Sequence, residues 1–150
     1  MHTEVTVAER TIQDIIAGQN LLTAPSTMTV ADAARLMKQR NVGAMMVVDS
    51  GRLTGVFTER DALFRVVSAG LDSKSTPLSV VMTVNPKCIT PELPFAHALA
   101  MMHEGGFRHL PVIKDGRPIG MVSVRDALGP ELEAFVYELL REEQVSQILA

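Results

Sequence analysis

The chain has no tryptophan, one tyrosine and five phenylalanines among its 150 residues. Rings for stacking unpaired bases are therefore scarce, and a single-stranded nucleic-acid platform is not expected. Basic runs are missing too. The 14 Lys and Arg residues are interspersed with 17 Asp and Glu, for a net charge of −3, so no Lys/Arg stripe marks a nucleic-acid partner. A single cysteine, Cys88, excludes an internal disulfide and suits a reducing, cytoplasmic setting. No apolar run approaches the ~18 residues that span a bilayer. The first ten residues lack the basic flank and apolar stretch of a secretory leader. Nucleophile elbows, phosphate-binding Walker loops and HExxH zinc motifs are all absent. His97, His103 and His109 recur every six residues, a spacing that builds no zinc site. The expectation is a protein without catalytic residues, bound metal or required cofactor.

What is present is a core and a repeat. The composition is 47% hydrophobic and 21% charged, that of a globular protein. Many of its nine methionines lie in apolar runs and read as core filler. Leu22–Leu63 aligns without a gap on Lys87–Leu128 at an offset of 65 residues. Identities include Ala33/Ala98, Met37/Met102, Val47/Val112, Gly55/Gly120, Arg60/Arg125 and Asp61/Asp126.

Each copy has the same layout. Val30–Arg40 and Phe95–Glu104 carry apolar residues at helical spacing. Gly43–Asp49 and His109–Asp115 read as buried strands. Ser50-Gly51 and Asp115-Gly116 then turn the chain into second strands, Leu53–Phe57 and Pro118–Val122. Short strands are expected near Asn20–Ala24 and Lys87–Thr90. The fold class is α+β: two β-α-β-β-α units packed face to face about a pseudo-two-fold axis, because a unit of about 60 residues buries too little surface alone. The expected divisions are an N-terminal segment plus first unit over 1–70, a linker over 71–79, a second unit over 80–129 and a C-terminal helix over 130–150. Glu9–Gly18 reads as a short helix closing the first unit. Leu132, Phe135, Val136, Leu139 and Leu140 give the last helix an apolar stripe, to pack on its own domain, on a twin subunit or on a partner.

The second strand of each copy ends in a hydroxyl residue with Asp three positions on: Thr58…Asp61 and Ser123…Asp126. These are good helix caps. Three features add a ligand reading. Gly55 and Gly120 stand inside strands, where glycine often marks a close approach. Arg60 and Arg125 lie in the first helical turn, where a cation is disfavoured by the helix dipole but helps hold an anion. The neighbouring Asp can accept from a diol, as acidic residues do for ribose in other nucleotide folds.

Gly55–Asp61 and Gly120–Asp126, with the strand Phe107–Ile113, resemble the cystathionine-β-synthase (CBS) domain family arranged as a tandem pair, or Bateman module. The resemblance covers about Thr11 to Leu128. It implies a stand-alone regulatory sensor, not an enzyme, forming a homodimer. Its ligand would be an adenosine-containing molecule (AMP, ADP, ATP or S-adenosylmethionine) held between the units. Asp61 and Asp126 would hold ribose hydroxyls, Thr58 and Ser123 ribose or phosphate, and Val56 and Met121 would touch the base. The Asp126 cleft would also draw on Leu22, Val42, Gly43, Arg108 and His109; the Asp61 cleft on Lys87 and Phe107. Arg108 and His109 stand where the first copy has Gly43 and Ala44, so the Asp126 cleft is expected to be the better site. An alternative is a ligand-free dimerisation or scaffold module acting through the C-terminal helix on an unknown regulated protein.

Overall fold

The computed structural model describes residues 10–149. The expectation of no secretory leader concerns residues 1–9, which lie outside them. The elements run α1 (Ile12–Ile16), β1 (Thr23–Ala24), α2 (Val30–Arg40), β2 (Ala44–Asp49), β3 (Arg52–Thr58) and α3 (Glu59–Asp61), which continues as a π-helical stretch, Ala62–Val67. Then follow α4 (Leu78–Val81), β4 (Thr83–Val84), α5 (Phe95–Gly105), β5 (His109–Lys114), β6 (Arg117–Ser123), a 3₁₀ turn (Val124–Asp126) and α6 (Gly129–Leu149).

Local chemistry repeats with the sequence. Helices α2 and α5 both end in a left-handed residue, Asn41 (φ 52°) and Gly106 (φ 69°), which satisfies terminal carbonyls. The β2–β3 and β5–β6 hairpins turn on Ser50-Gly51 and Asp115-Gly116, all four residues at positive φ, as a tight hairpin requires. Each hairpin carries a register shift at the same place, Val47/Val48 and Val112/Ile113.

The sheets are unequal. The first unit has four strands in the order β1-β2-β3-β4; the second has two, β5-β6. The strand expected over Lys87–Thr90 is reduced to a parallel bridge from Ile89 to Val112.

The cores cut across the expected boundaries. Helix α1 does not close the first unit: Ile12 and Ile16 are buried with Phe95, Leu99, Met102, Leu110 and Val122 of the second. Helix α4, which opens the second repeat, buries Leu78 and Val81 with Val30, Met37, Val47 and Phe57 of the first. The units thus exchange their leading helices. Each buried Ile or Leu contributes roughly 1.5–3 kcal/mol, so the exchange ties the halves together. The segment 71–79 is correspondingly more than a linker. Thr76 is buried, its carbonyl accepts from Val30 N–H, and Leu78 N–H donates to Met28 O. Cys88 is half-buried, and its thiol lies 3.2 Å from Pro86 O.

Helix α6 uses little of its stripe on its own domain. Phe135 meets His103 edge-on at 5.7 Å, and buried Glu131 pairs with Arg10 at 2.7 Å. Leu132, Val136 and Leu140 stay exposed. No helix among the described residues is long and apolar enough to cross a membrane.

Candidate functional site

Two clefts open between the units, one beside each strand–helix junction. The larger, about 740 Å³, contains Asp61; the smaller, about 240 Å³, contains Asp126. Small-molecule sites typically occupy about 300–1,000 Å³, so only the larger falls within that range.

Asp61 is 6% exposed and held from several sides. Thr58 N–H donates to its Oδ2 at 3.1 Å, and Asp61 N–H donates back to Thr58 Oγ1 at 3.1 Å. The Thr83 hydroxyl donates to Oδ1 at 3.3 Å, and Arg65 Nε lies 3.5 Å from the same oxygen. A carboxylate offers about four lone-pair sites, and Thr58, Thr83 and Arg65 take at least three of them, so a ribose hydroxyl would have to share or displace one of these partners. Asp126 is less enclosed. Its Oδ2 accepts from Ser123 N–H at 2.7 Å, and nothing in the second unit plays the part of Arg65 or Thr83 toward it among the described contacts.

The sequence candidates fall on both walls. Val56, Thr58, Arg60, Asp61, Lys87 and Phe107 line the larger cleft. Leu22, Val42, Met121, Ser123, Arg125 and Asp126 line the smaller. Gly43 and His109 border both. Arg108 is the exception. It lines the Asp61 cleft, not the Asp126 cleft to which the sequence assigned it, and it also borders a side crevice with Ser123 and Arg125. Arg108 immediately precedes β5, and both it and His109 line the larger cleft, while only His109 also reaches the smaller one.

Charge follows the same division. Arg60, Arg65, Lys87 and Arg108 line the larger cleft against Glu59 and Asp61. Arg40 and Arg125 line the smaller against Asp126. The Arg60 guanidinium lies 5.4 Å from the Phe64 ring centroid, a cation–π arrangement. His109 is held below the ordinary imidazole range, first by burial and then by Arg108, with Arg125 adding to the effect and Glu59 and Asp126 opposing it.

Several lining residues escaped the sequence reading. Arg65 had a signal, standing four residues after Asp61 on a helix. Thr83 had none, because it arrives from the segment assigned to the other unit. Gln19, on the smaller cleft, had none either.

The glycines inside the strands make room for protein. A Cβ on Gly55 would lie 2.7 Å from Met82 Sδ and 2.9 Å from Thr83 O; one on Gly120 would lie 2.6 Å from Ile16 Cγ2. The close approach is that of the segments joined to the exchanged helices.

Comparison with known proteins agrees with the repeat. A CBS domain model matches residues 12–68 and again 78–130. The mitochondrial CBS domain-containing protein CBSX3 of Arabidopsis thaliana is 43% identical over 118 residues, covering 75% of this chain and 57% of the relative. Another Arabidopsis relative, CBSCBSPB1, is 37% identical over 83% of this chain but only 23% of its own length. The chain thus spans between about a quarter and just over half of these curated relatives. Among solved structures, a CBS-domain containing protein from Agrobacterium tumefaciens has a TM-score of 0.72 at 29% identity, covering 83% of this chain and 98% of that one. A CBS domain protein from Pyrobaculum aerophilum complexed with AMP has a TM-score of 0.75 at 22% identity, covering 85% and 98%. Duplicated sequence, paired units and two matches to one family model give the same answer: this chain belongs to the CBS domain family, as a tandem pair.

Proposed function

We propose that this chain is a regulatory module that binds an adenosine-containing ligand in the Asp61 cleft and transmits occupancy by shifting the relative arrangement of the units or of subunits. The observation that carries this reading is the 740 Å³ cavity in which a buried, hydrogen-bonded carboxylate stands among four cationic side chains. A carboxylate suits the ribose diol, and guanidinium and ammonium groups suit phosphate. This reverses the ranking of the two clefts expected from the sequence. The AMP complex of the Pyrobaculum protein fits the reading; at 22% identity it speaks for the fold, and the ligand class rests on the cleft residues. No chemical step is assigned to the module. A ligand can regulate only through its different affinity for two states.

The test is a melting panel with AMP, ADP, ATP and S-adenosylmethionine at millimolar concentration. A ligand that binds only the folded state stabilises it by RT ln(1 + [L]/Kd), about 2.7 kcal/mol at one hundred times Kd. At least one nucleotide is expected to raise the melting temperature of the wild type. No shift with any of the four defeats the proposal.

A second reading rests on the exposed residues Leu132, Val136 and Leu140 of α6, which stand in one row. Here the helix covers a second copy of the chain, and the module acts as a homodimer. Replacing Leu132 and Leu140 by Gln then halves the native mass; an unchanged mass removes this reading.

A further inference from the structure

Asp61 is occupied by protein before any ligand arrives. Its Oδ2 accepts from Thr58 N–H at 3.1 Å. Its Oδ1 accepts from the Thr83 hydroxyl at 3.3 Å and faces Arg65 Nε at 3.5 Å. These partners differ in how easily they give way. The Thr58 amide belongs to the cap and cannot leave without unwinding the junction. The Thr83 hydroxyl sits on a short side chain, held in place by the pairing of β4 with Val56. Arg65 is the partner free to swing. Its side chain is 53% exposed, and its other contact, from Nη1 to Met82 O at 3.2 Å, lies at the surface.

A diol that donates to Asp61 therefore takes the place of Arg65. The cost depends on the ligand. Arg60, Lys87 and Arg108 line the cleft beside Arg65, against the carboxylates of Glu59 and Asp61, so four cations face two anions. A guanidinium released from Asp61 is left among three other cations. With an uncharged ligand, the exchange gives up an ion pair and leaves that repulsion in place. With a phosphate in the cleft, the guanidinium passes from one anion to another that it can grip with the same fork of donors. The second unit has no such guard: the position equivalent to Arg65 is Pro130.

We infer that Arg65 is a positioning residue that guards Asp61, and that the Asp61 cleft in consequence selects phosphorylated adenosine over uncharged adenosine compounds. Arg65 acts through Asp61, holding its carboxylate until a ligand brings an anion for the guanidinium. This inference rests on the reading of the cleft as an adenosine site, and narrows the ligand to the phosphate-bearing members of that class.

Calorimetry with AMP and with adenosine, which differ only by the phosphate, tests it on the wild type, Arg65→Gln and Arg65→Lys. The wild type is expected to prefer AMP by about tenfold or more, the value of one charged hydrogen bond. Arg65→Gln is expected to bind AMP about two- to fivefold more weakly, as for an exposed ionic contact, and adenosine about twofold more tightly, because Asp61 is released. The preference for AMP then falls about four- to tenfold. Arg65→Lys keeps the cation and is expected to keep most of the preference. In an Asp61→Ala background, Arg65→Gln is expected to bring adenosine no gain, since no carboxylate is left to release.

A preference unchanged in Arg65→Gln, whether or not both affinities fall, overturns the inference. So does a preference that falls through AMP alone, which makes Arg65 a plain phosphate contact, or one that Arg65→Lys loses as fully as Arg65→Gln. A wild type that binds adenosine as tightly as AMP, or an adenosine gain that persists without Asp61, overturns it as well. Each of these leaves the adenosine function standing. A wild type that binds neither compound overturns both. If Arg65→Gln does not melt cooperatively, Arg65→Met, which keeps a flexible apolar stem, takes its place with the same expected ratios.

Discussion

The Asp61 and Asp126 clefts begin from nearly the same sequence and end as different sites. Both have a strand, a hydroxyl residue, an Arg and an Asp at one spacing. The first has three times the volume, a buried Asp held by Arg65 and Thr83, and most of the lining cations. The difference arises outside the motif, in what the chain brings across from elsewhere. Strand β4 carries Thr83 to one junction, while the equivalent stretch after α1 carries Gln19 to the other. A duplicated motif sets out two candidate sites, and the segments preceding each copy decide which one has room.

The sharpest way to break this comparison is to remove each carboxylate in turn. Asp61→Ala is expected to weaken nucleotide binding roughly 10- to 100-fold, the value of a charged hydrogen bond lost at 1.5–3 kcal/mol. It also loses a cap worth about 0.5–2 kcal/mol, so its melting temperature without ligand falls as well. Asp126→Ala is expected to leave nucleotide affinity within about twofold of wild type. Calorimetry on both variants checks this, and equal losses would mean that the clefts are used alike.

The strand glycines give the next largest effect. A methyl group at either position meets atoms at under 3.0 Å, and such overpacking costs typically about 1–3 kcal/mol. Gly120→Ala pushes on Ile16 and hence on α1; Gly55→Ala pushes on Met82 and on the backbone of Thr83, which bonds Asp61. Both variants are expected to melt earlier. Only Gly55→Ala is expected also to lose nucleotide affinity, because only there does the displaced segment reach the larger cleft. Melting curves with and without ATP separate the two effects.

Much of this was legible in the sequence, and the parts that were not share a cause. Periodicity and the 65-residue offset located α2, α5, both hairpins and both Thr/Ser–Asp junctions, because those features depend on neighbours within a few positions. The exchange of α1 and α4 was not visible. Ile12 and Leu78 are apolar residues on short helices, and nothing local says which of two similar cores they enter. Arg108 was read onto the wrong wall for a related reason: the sequence placed it beside His109, but of the two only His109 also lines the Asp126 cleft. The role of Gly55 and Gly120 was half legible. Close approach was readable from glycine in a strand, but the approaching group came from far along the chain.

Arg108→Ala and Lys87→Ala test the charge difference between the clefts. Both side chains are exposed, and an exposed ionic contact is worth about 0.2–1 kcal/mol. Each variant is therefore expected to weaken ATP binding by about two- to fivefold and AMP binding less, since fewer phosphate charges are involved. Raising the salt concentration is expected to shrink the difference, because screening acts on exposed charges. S-adenosylmethionine, whose sulfonium is positive, is expected to bind no worse to either variant. Equal losses for ATP and S-adenosylmethionine would show that the cations act on something other than phosphate.

The smallest effect concerns His109, which faces both clefts and so tests whether they are independent. Burial and Arg108 hold its pKa below the ordinary value of 6.5, with Arg125 acting the same way and Glu59 and Asp126 opposing. Between the folded and unfolded values the unfolded chain binds more protons, so stability rises with pH there. The neutral imidazole's advantage is full above pH 6.5 and is lost as pH falls through the folded value. The wild type is therefore expected to lose more stability between pH 7 and pH 5 than His109→Ala, which restores the residue found at the matching position, Ala44. A phosphate bound in the larger cleft adds a negative charge beside the ring and raises its pKa, so nucleotide affinity is expected to strengthen as pH falls toward 6. In His109→Ala that strengthening is expected to be weaker. Denaturant melts and calorimetry at three pH values measure both trends. A variant that keeps the full pH dependence of binding would move the proton uptake from the shared wall to the ligand's own phosphates.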